Sequence, residues 1–362
     1  MTKHNYENER IKRDYLHFQK EAKRKSEGTV EAIRKAILRF EAYTGFKDFR
    51  TFHKEQVIAF KKHLYETKAE RTGEPLSKST LLSTVNTLKD FFAWLSQKSG
   101  YKSRIHLEDI EYFNLSEKET RIAKAGKFRE FPTLEQIHKV IFSMPTGTDI
   151  ERRNRALVAF TIISGMRDSA IASLRLKHID VERELIKQEP DQVKTKFSKR
   201  IDTFFFPVGE DIKAVVVGWV KELKEQKLYG VNDPLFPKTK QVLDANQSFK
   251  PGGLQRECWA TASPIRRIFE EAFCCAGFPS FTPHTFRHTI THLGEKSCKT
   301  PEEFKAWSQN LGHEEVSTTF TSYGNVSVYR QGEVIRDLAK ADEREDKLDL
   351  ILKKLGNEMI IR

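Results

Sequence analysis

The chain has 362 residues, with 63 Lys and Arg against 51 Asp and Glu, a formal net charge of +12 and 38% hydrophobic residues. That length suits about two domains plus tails. No run of about 18 apolar residues occurs, so no transmembrane helix is expected, and the charged start Met1-Thr2-Lys3-His4-Asn5-Tyr6 has no signal segment behind it, which points to a cytoplasmic protein. Residues 1–130 hold 28 Lys and Arg against 19 Asp and Glu, so nine of the twelve net charges sit there. An excess of that size implies a polyanionic partner, most simply nucleic acid.

Residues 1–24 are charged and poorly patterned, and read as a basic arm that is frayed or forms a short helix. From Gly28-Thr29 a helix is expected, with Ile33, Ala36, Ile37 and Phe40 on one face and Gly45 just past its end. A second helical run carries Val57, Ile58, Phe60 and Leu64, and Gly73 and Pro75 mark a loop over 66–78. From Lys78 to Gly100 the apolar set Leu81, Val85, Leu88, Phe92 and Leu95 steps by four and three residues, predicting a helix that Gly100 closes. Residues 25–105 therefore form a small helical bundle with a basic exterior, read as a DNA-contacting domain. Residues 106–131 lose the periodicity and read as a linker. Lys23, Arg24, Lys25, Lys78, Arg121, Lys124 and Lys127 are the candidate phosphate contacts.

A second domain is expected over 132–335. Thr133 and Gln136 fit a capping box, and helical patterning runs through Ile137, Val140 and Ile141 and again through Leu157, Val158, Phe160 and Ile162. Between 184 and 208 the segments Leu185-Ile186, Gln192-Val193-Lys194-Thr195 and Thr203-Phe204-Phe205-Phe206-Pro207-Val208 read as short strands. Helices are expected around 211–227 and 263–276, with loops at 230–240 and 247–256 and a charged, helix-prone tail over 336–362. Cys258, Cys274, Cys275 and Cys298 have neither disulfide-framework nor metal-ligand spacing, and are expected to be buried, reduced thiols. The fold class is mainly α with a small antiparallel β-sheet.

Chemistry concentrates in Phe281-Thr282-Pro283-His284-Thr285-Phe286-Arg287-His288. Thr282 suits a helix N-cap and Pro283 the first helical position. His284 and Arg287, three apart, then share a face of the first turn. Unpaired backbone N–H groups and the positive dipole end favour a phosphate there, and an arginine fork beside an imidazole strengthens the clamp. Upstream, Ile163-Ser164-Gly165-Met166-Arg167-Asp168 places Arg167 after a sharp turn at Gly165, with Asp168 suited to cap the next helix. Downstream, Thr300-Pro301-Glu302-Glu303 opens a helix that Gly312 stops, leaving His313 at a turn where its side chain can point into a cleft. Lys194, Lys196, Lys199 and Arg200 alternate along the strand pair, and the pattern singles out none of them. His288 and His292 continue the row at four-residue spacing, but no carboxylate or thiolate with ligand spacing accompanies them, so they read as packing residues and no metal site is expected.

The ordered set H-x-x-R, Leu311-Gly312-His313 and then Tyr323, ten residues after His313, resembles the tyrosine recombinase (phage integrase) family. The resemblance covers residues 25–330. It implies an N-terminal helical, SAM-like core-binding domain and a C-terminal catalytic domain of the DNA breaking-rejoining fold, clasping double-stranded DNA at specific recombination sites. It implies Arg167, Lys196, His284, Arg287 and His313 as catalytic residues, with Lys196 preferred over Lys194 and Lys199, and Tyr323 as the nucleophile that forms a 3′-phosphotyrosine and frees a 5′-hydroxyl. Neither metal, ATP nor another cofactor is implied. Ala170 and His178 stand where the family often has acidic residues. Synapsed homotetramers, with the 336–362 tail docking between protomers, complete the implied picture. A type IB topoisomerase, a DNA-binding protein without activity and a metal-dependent nuclease are the alternatives.

Overall fold

The computed structural model describes residues 4–69, 73–125, 130–195, 200–243 and 248–313, together with Gly332 and Arg336. The chain divides into two units, Met1–Ala125 and Gly126–Arg362.

In the first unit, α1 (Tyr6–His17) opens on Asn5, whose side chain accepts from the Asn8 N–H, and continues through a π-helical turn, Phe18–Ala22. This segment is a packed helix and not a frayed arm. Ile11 and Tyr15 are buried, and the fully buried Asn8 amide joins the Lys47 carbonyl to the Phe49 N–H. α2 (Glu27–Thr44) runs from N-cap Ser26 to Gly45 in the left-handed region. α3 (Lys54–Glu66) and α4 (Lys78–Leu95) follow, the latter stopping short of Gly100. The expected linker differs most. Residues 101–125 add α5 (Leu107–Glu111) and α6 (Glu117–Lys124), and Tyr101, Ile105, Ile110 and Phe113 join the core. Helices this short show too few turns for a period to emerge. The core is aromatic: Phe52 stacks on Phe92 with centroids 4.0 Å apart, and Phe40 meets Phe60 and Phe92 edge-on. Each such ring contributes about 1.5–3 kcal/mol by leaving water.

In the second unit, capping boxes start α7 (Leu134–Ser143) at Thr133 and α8 (Asp149–Ser164) at Thr148. Every residue of α8 from Ala156 to Ser164 is buried, because α7, α10 (Glu210–Lys221) and α12 (Pro283–Ser297) all pack on it. The short α9 (Asp168–Ile171) leads to an antiparallel sheet in the order β1 (Ile179–Asp180), β2 (Leu185–Gln188), β3 (Ile201–Phe204), with Leu185 opposite Phe204 and Gln188 opposite Ile201. The strand expected at 192–195 does not form. The Val193 N–H bonds the Glu189 carbonyl in a turn and the Lys194 N–H bonds the Ser173 hydroxyl 21 residues away, so a turn and a side chain take the groups a ladder would use.

β4 (Lys238–Leu243) and β5 (Phe249–Gln255) pair where loops were expected. Pro251-Gly252-Gly253 carries turn chemistry, yet Gly252 is there for closeness: a Cβ would lie 2.5 Å from Val242 Cγ1. α11 (Ser263–Cys275), α12 and α13 (Pro301–Asn310) complete the unit. The cysteines are free thiols, but the expectation of burial fails: Cys274 and Cys275 are exposed on the last turn of α11, and Cys258 and Cys298 are half-buried. Among the described residues, no helix is long and apolar enough to cross a membrane.

Candidate active site

Three chain reversals build the site. The first follows α8, whose last turn closes on Gly165 at φ +58, a conformation that glycine adopts without steric cost. Leu311 Cδ2 lies 2.9 Å and Ile290 Cδ1 3.0 Å from where a Cβ would stand, so the turn is also packed shut. Arg167 comes next in extended conformation, as the residue capping α9. Asp168, expected as that cap, is instead the first residue of the helix. Its carboxylate accepts a hydrogen bond from Arg266 Nε at 2.6 Å, tying the Arg167 turn to α11.

The second reversal precedes α12. Thr282 is the N-cap and Pro283 the first helical residue, but the Thr282 side chain makes no capping bond; Thr285 Oγ1 instead donates to the Thr282 carbonyl at 2.7 Å. Buried Phe286 and Ile290 set the helix against the core, so Arg287 is carried inward while His284 stays exposed. Arg287 is 6% exposed, and its guanidinium donates to the carbonyls of Gly165 and of Leu311, the latter at 2.7 Å. Both carbonyls lie at the C-terminal ends of helices, α8 and α13, where the dipole is negative.

The third reversal ends α13. Gly312 at φ +72 bonds back to the Gln309 carbonyl, and the His313 N–H to the Ser308 carbonyl at 3.1 Å. The His313 Nε2 then meets Arg287 Nη2 at 2.9 Å. A guanidinium can only donate, so Nε2 is the acceptor and the neutral ring carries its proton on Nδ1.

Electrostatics register the crowding. Burial, and then the Arg167 charge, bring the Arg287 guanidinium down to about 9. Burial also lowers Arg167. His313 is held down to about 4, by burial first and then by the charges of Arg287, Arg167 and His284. Among the described residues, no carboxylate pairs with Arg167 or Arg287. A small cavity opens between these two arginines, with Gln188, Thr195, Thr203 and Leu311 also on its wall, and the Thr195 hydroxyl is buried there without a partner among the described residues. Two unneutralised guanidiniums facing one cavity form a site for an oxyanion with more than one charged oxygen.

The structure thus gathers Arg167, His284, Arg287 and His313 from segments far apart in the chain. Lys196, Lys199, Tyr323 and Lys127 lie outside the described residues, as does the 336–362 tail apart from Arg336. Lys194 donates to the Ala260 carbonyl at 2.9 Å. His288 and His292 pack around Phe131, and His292 faces Glu295 at 3.3 Å. No group of three His, Cys, Asp or Glu able to hold a metal occurs among the described residues.

In the first unit, Lys23 lies over the Phe18 ring and Lys78 over the Tyr65 ring. Arg24 pairs with Glu21, Lys78 with Glu119 and Arg121 with Glu117, while Lys25 and Lys124 are exposed. Exposed pairs contribute about 0–1 kcal/mol, so these side chains can exchange partners for phosphates. Sequence reasoning missed Arg266, which carried no signal, and the buried Thr195 hydroxyl, whose signal was its place next to the lysine cluster; Asp168 was read as a cap and not as the partner of Arg266.

The chain is similar to known proteins. The model of the phage integrase family matches residues 130–329. The tyrosine recombinase XerC of Lactobacillus delbrueckii subsp. bulgaricus is 26% identical over 248 residues, covering 68% of this chain and 72% of that protein. A tyrosine recombinase of Thermosipho africanus is 23% identical over 307 residues, covering 84% and 90%. Among solved structures, a lambda integrase dimer bound to a COC′ core site aligns with a TM-score of 0.59 at 14% identity, over 88% of this chain and 96% of that one. The integrase of transposon Tn1549 in complex with transposon right end DNA aligns at 0.57 and 14% identity, over 91% and 98%. These structures share the fold, mainly helical with small antiparallel sheets. The matched segment spans more than half of the chain and contains the three reversals just described, and the chain belongs to the phage integrase family.

Proposed function

We propose that the protein is a site-specific tyrosine recombinase that cuts and rejoins double-stranded DNA through a 3′-phosphotyrosine. The observation that carries this reading is the convergence of Arg167 and Arg287, with no carboxylate paired to them among the described residues, on one cavity beside a neutral His313. In this reaction the Tyr323 oxygen attacks a phosphodiester phosphorus, the P–O5′ bond breaks, and the leaving oxygen takes a proton. Lys196 is the proposed donor, since Lys194 is engaged with the Ala260 carbonyl. The two guanidiniums hold the nonbridging oxygens as charge builds on the five-coordinate phosphorus. His313 offers its Nδ1 proton to the same oxygens, and His284, at the exposed N-terminus of α12, serves proton transfer. A phenol ionises near pH 10 in water, so it depends on this positive field to act as a nucleophile. The attack of a 5′-hydroxyl from a second duplex reverses the step. The bond energy stays in the covalent link, so no ATP is consumed.

The domain reading that goes with this chemistry is a basic N-terminal segment over 1–24, packed as a helix over 6–22 and not extended as an arm, a core-binding bundle over 25–105, a linker over 106–131, a catalytic domain over 132–335 and a tail over 336–362 that docks on a neighbouring protomer in a synaptic tetramer. The packing of 101–125 with the first unit favours moving the linker's start toward residue 126. A cytoplasmic, nucleoid-bound protein serving a mobile element is the setting this activity fits. Covalent capture tests the reading. Incubated with a pool of nicked duplexes of random sequence, the wild type should form an SDS-resistant adduct whose DNA, once sequenced, gives the site. Tyr323→Phe should bind the captured duplex but form no adduct; an adduct in that variant would sink the assignment. Strand exchange between two duplexes separates recombination from topoisomerase-like relaxation.

A further inference from the structure

Asn310 closes α13 and stands at the free edge of the β1-β2-β3 sheet. Its Oδ1 accepts the Phe204 N–H at 2.7 Å, and its Nδ2 donates to the Phe204 carbonyl at 2.9 Å. One side-chain amide therefore takes both main-chain groups of an edge residue, as a neighbouring strand would. The Asn310 main-chain carbonyl accepts from Thr203 Oγ1 at 3.2 Å, and that hydroxyl accepts from the buried Gln188 amide at 3.1 Å. The turn that follows lies directly on the same strand: a Cβ on Gly312 would sit 2.9 Å from Ile201 Cδ1. One residue before Gly312, the Leu311 carbonyl receives Arg287, and one residue after it stands His313.

We propose that Asn310 is a positioning residue, whose side-chain amide fastens the His313 turn to the edge of β3 and so holds the imidazole within bonding distance of Arg287. The proposal rests on the functional reading above for the use made of His313, but not for the geometry. Phe204 is 55% exposed, so water can replace the two bonds when the amide is removed, and little stability should be lost with them. What water cannot replace is the register between the helix end and the strand. A turn released from β3 can swing the ring away from the arginines and into solvent. Among the described residues the charged and titratable groups acting on His313 are Arg287, Arg167 and His284, and all three disfavour its protonation.

The test uses the full chain with 13C-labelled histidine. The wild-type His313 ring, assigned through its loss in His313→Gln, should stay neutral well below pH 5. In Asn310→Ala it should titrate at least one pH unit higher. Adduct formation on the captured nicked duplex should slow at least tenfold, with affinity for that duplex within twofold of wild type. Asn310→Gln keeps an amide but places it one methylene too far out. It should move both readouts the same way, and it stands in if the alanine variant does not fold. An unmoved His313 titration in the folded variants overturns the proposal, and so does a wild-type adduct rate in a variant whose titration has moved. If the wild type itself forms no adduct on any duplex, the recombinase reading fails, while the titration still decides whether Asn310 holds the turn.

Discussion

Arg287→Met should separate stability from chemistry. In the wild type a guanidinium 6% exposed and lacking a carboxylate partner among the described residues is held down to about 9 from 12.5. At about 1.36 kcal/mol per unit, that is on the order of 5 kcal/mol of folding free energy set against the native state. Methionine removes this penalty and fills much of the same volume. It also removes the bonds to the Gly165 carbonyl, the Leu311 carbonyl and His313. Bonds from a charged donor contribute about 1.5–3 kcal/mol each, so losing three costs about 4.5–9 kcal/mol. The balance runs from near zero to about 4 kcal/mol of destabilisation, and at roughly 2–4 °C per kcal/mol the melting temperature should fall by no more than about 16 °C.

Inorganic phosphate supplies the second readout. At constant ionic strength and about a hundredfold excess over its Kd, phosphate should stabilise the wild type by about 2.7 kcal/mol, through the site between Arg167 and Arg287. The methionine variant should lose most of that gain, and adduct formation on DNA should fall at least about 10²–10³-fold. Equal stabilisation of both proteins by phosphate would refute the reasoning. So would a variant that is unfolded where the wild type is native, because the buried cation would then be a net support of the fold.

Gly165→Ala places an L-residue at φ +58 and a methyl group 2.9 Å from Leu311 Cδ2; about 1–2 kcal/mol of backbone strain plus about 1–3 of overpacking should appear in urea unfolding, and an unchanged midpoint would contradict it. His313, at about 4 in the folded protein against an ordinary imidazole value of 6.5, binds its proton less readily in the native state than in the unfolded one. Its contribution is therefore neutral above about pH 6.5 and destabilising as pH falls from there toward 4. His313→Gln should flatten the acid limb of the stability curve over that window, and an unchanged limb in urea titrations across it would count against the buried, neutral ring.

The individual pieces of the site were legible because each lies in a short segment with its own local rule. Gly165 and Gly312 end helices in the left-handed region, Pro283 starts one, and capping boxes at Thr133 and Thr300 mark two more. The order H-x-x-R, L-G-H, Tyr then resembled one family. Where local cues conflicted with long-range pairing, the reading failed. Val193-Lys194-Thr195 has strand composition but spends its backbone bonds on turns and a side chain, and Pro251-Gly252-Gly253 has turn composition but pairs with β4. Residues 106–125 looked like a linker because their core side chains, Ile110 and Phe113, are spread over elements too short to show a period.

Sequence alone determined the residue types that can hold a phosphate and the turns that present them. Only tertiary structure decided that two helix-end carbonyls would serve Arg287 as acceptors, that His313 would be neutral, and that Asn310 would close the sheet edge. The physical reason is that a carbonyl at position 165 or 311 is chemically like any other in the chain. Arg287 stands 122 residues from the first and 24 from the second, and it reaches both only because three helices pack so that their ends meet.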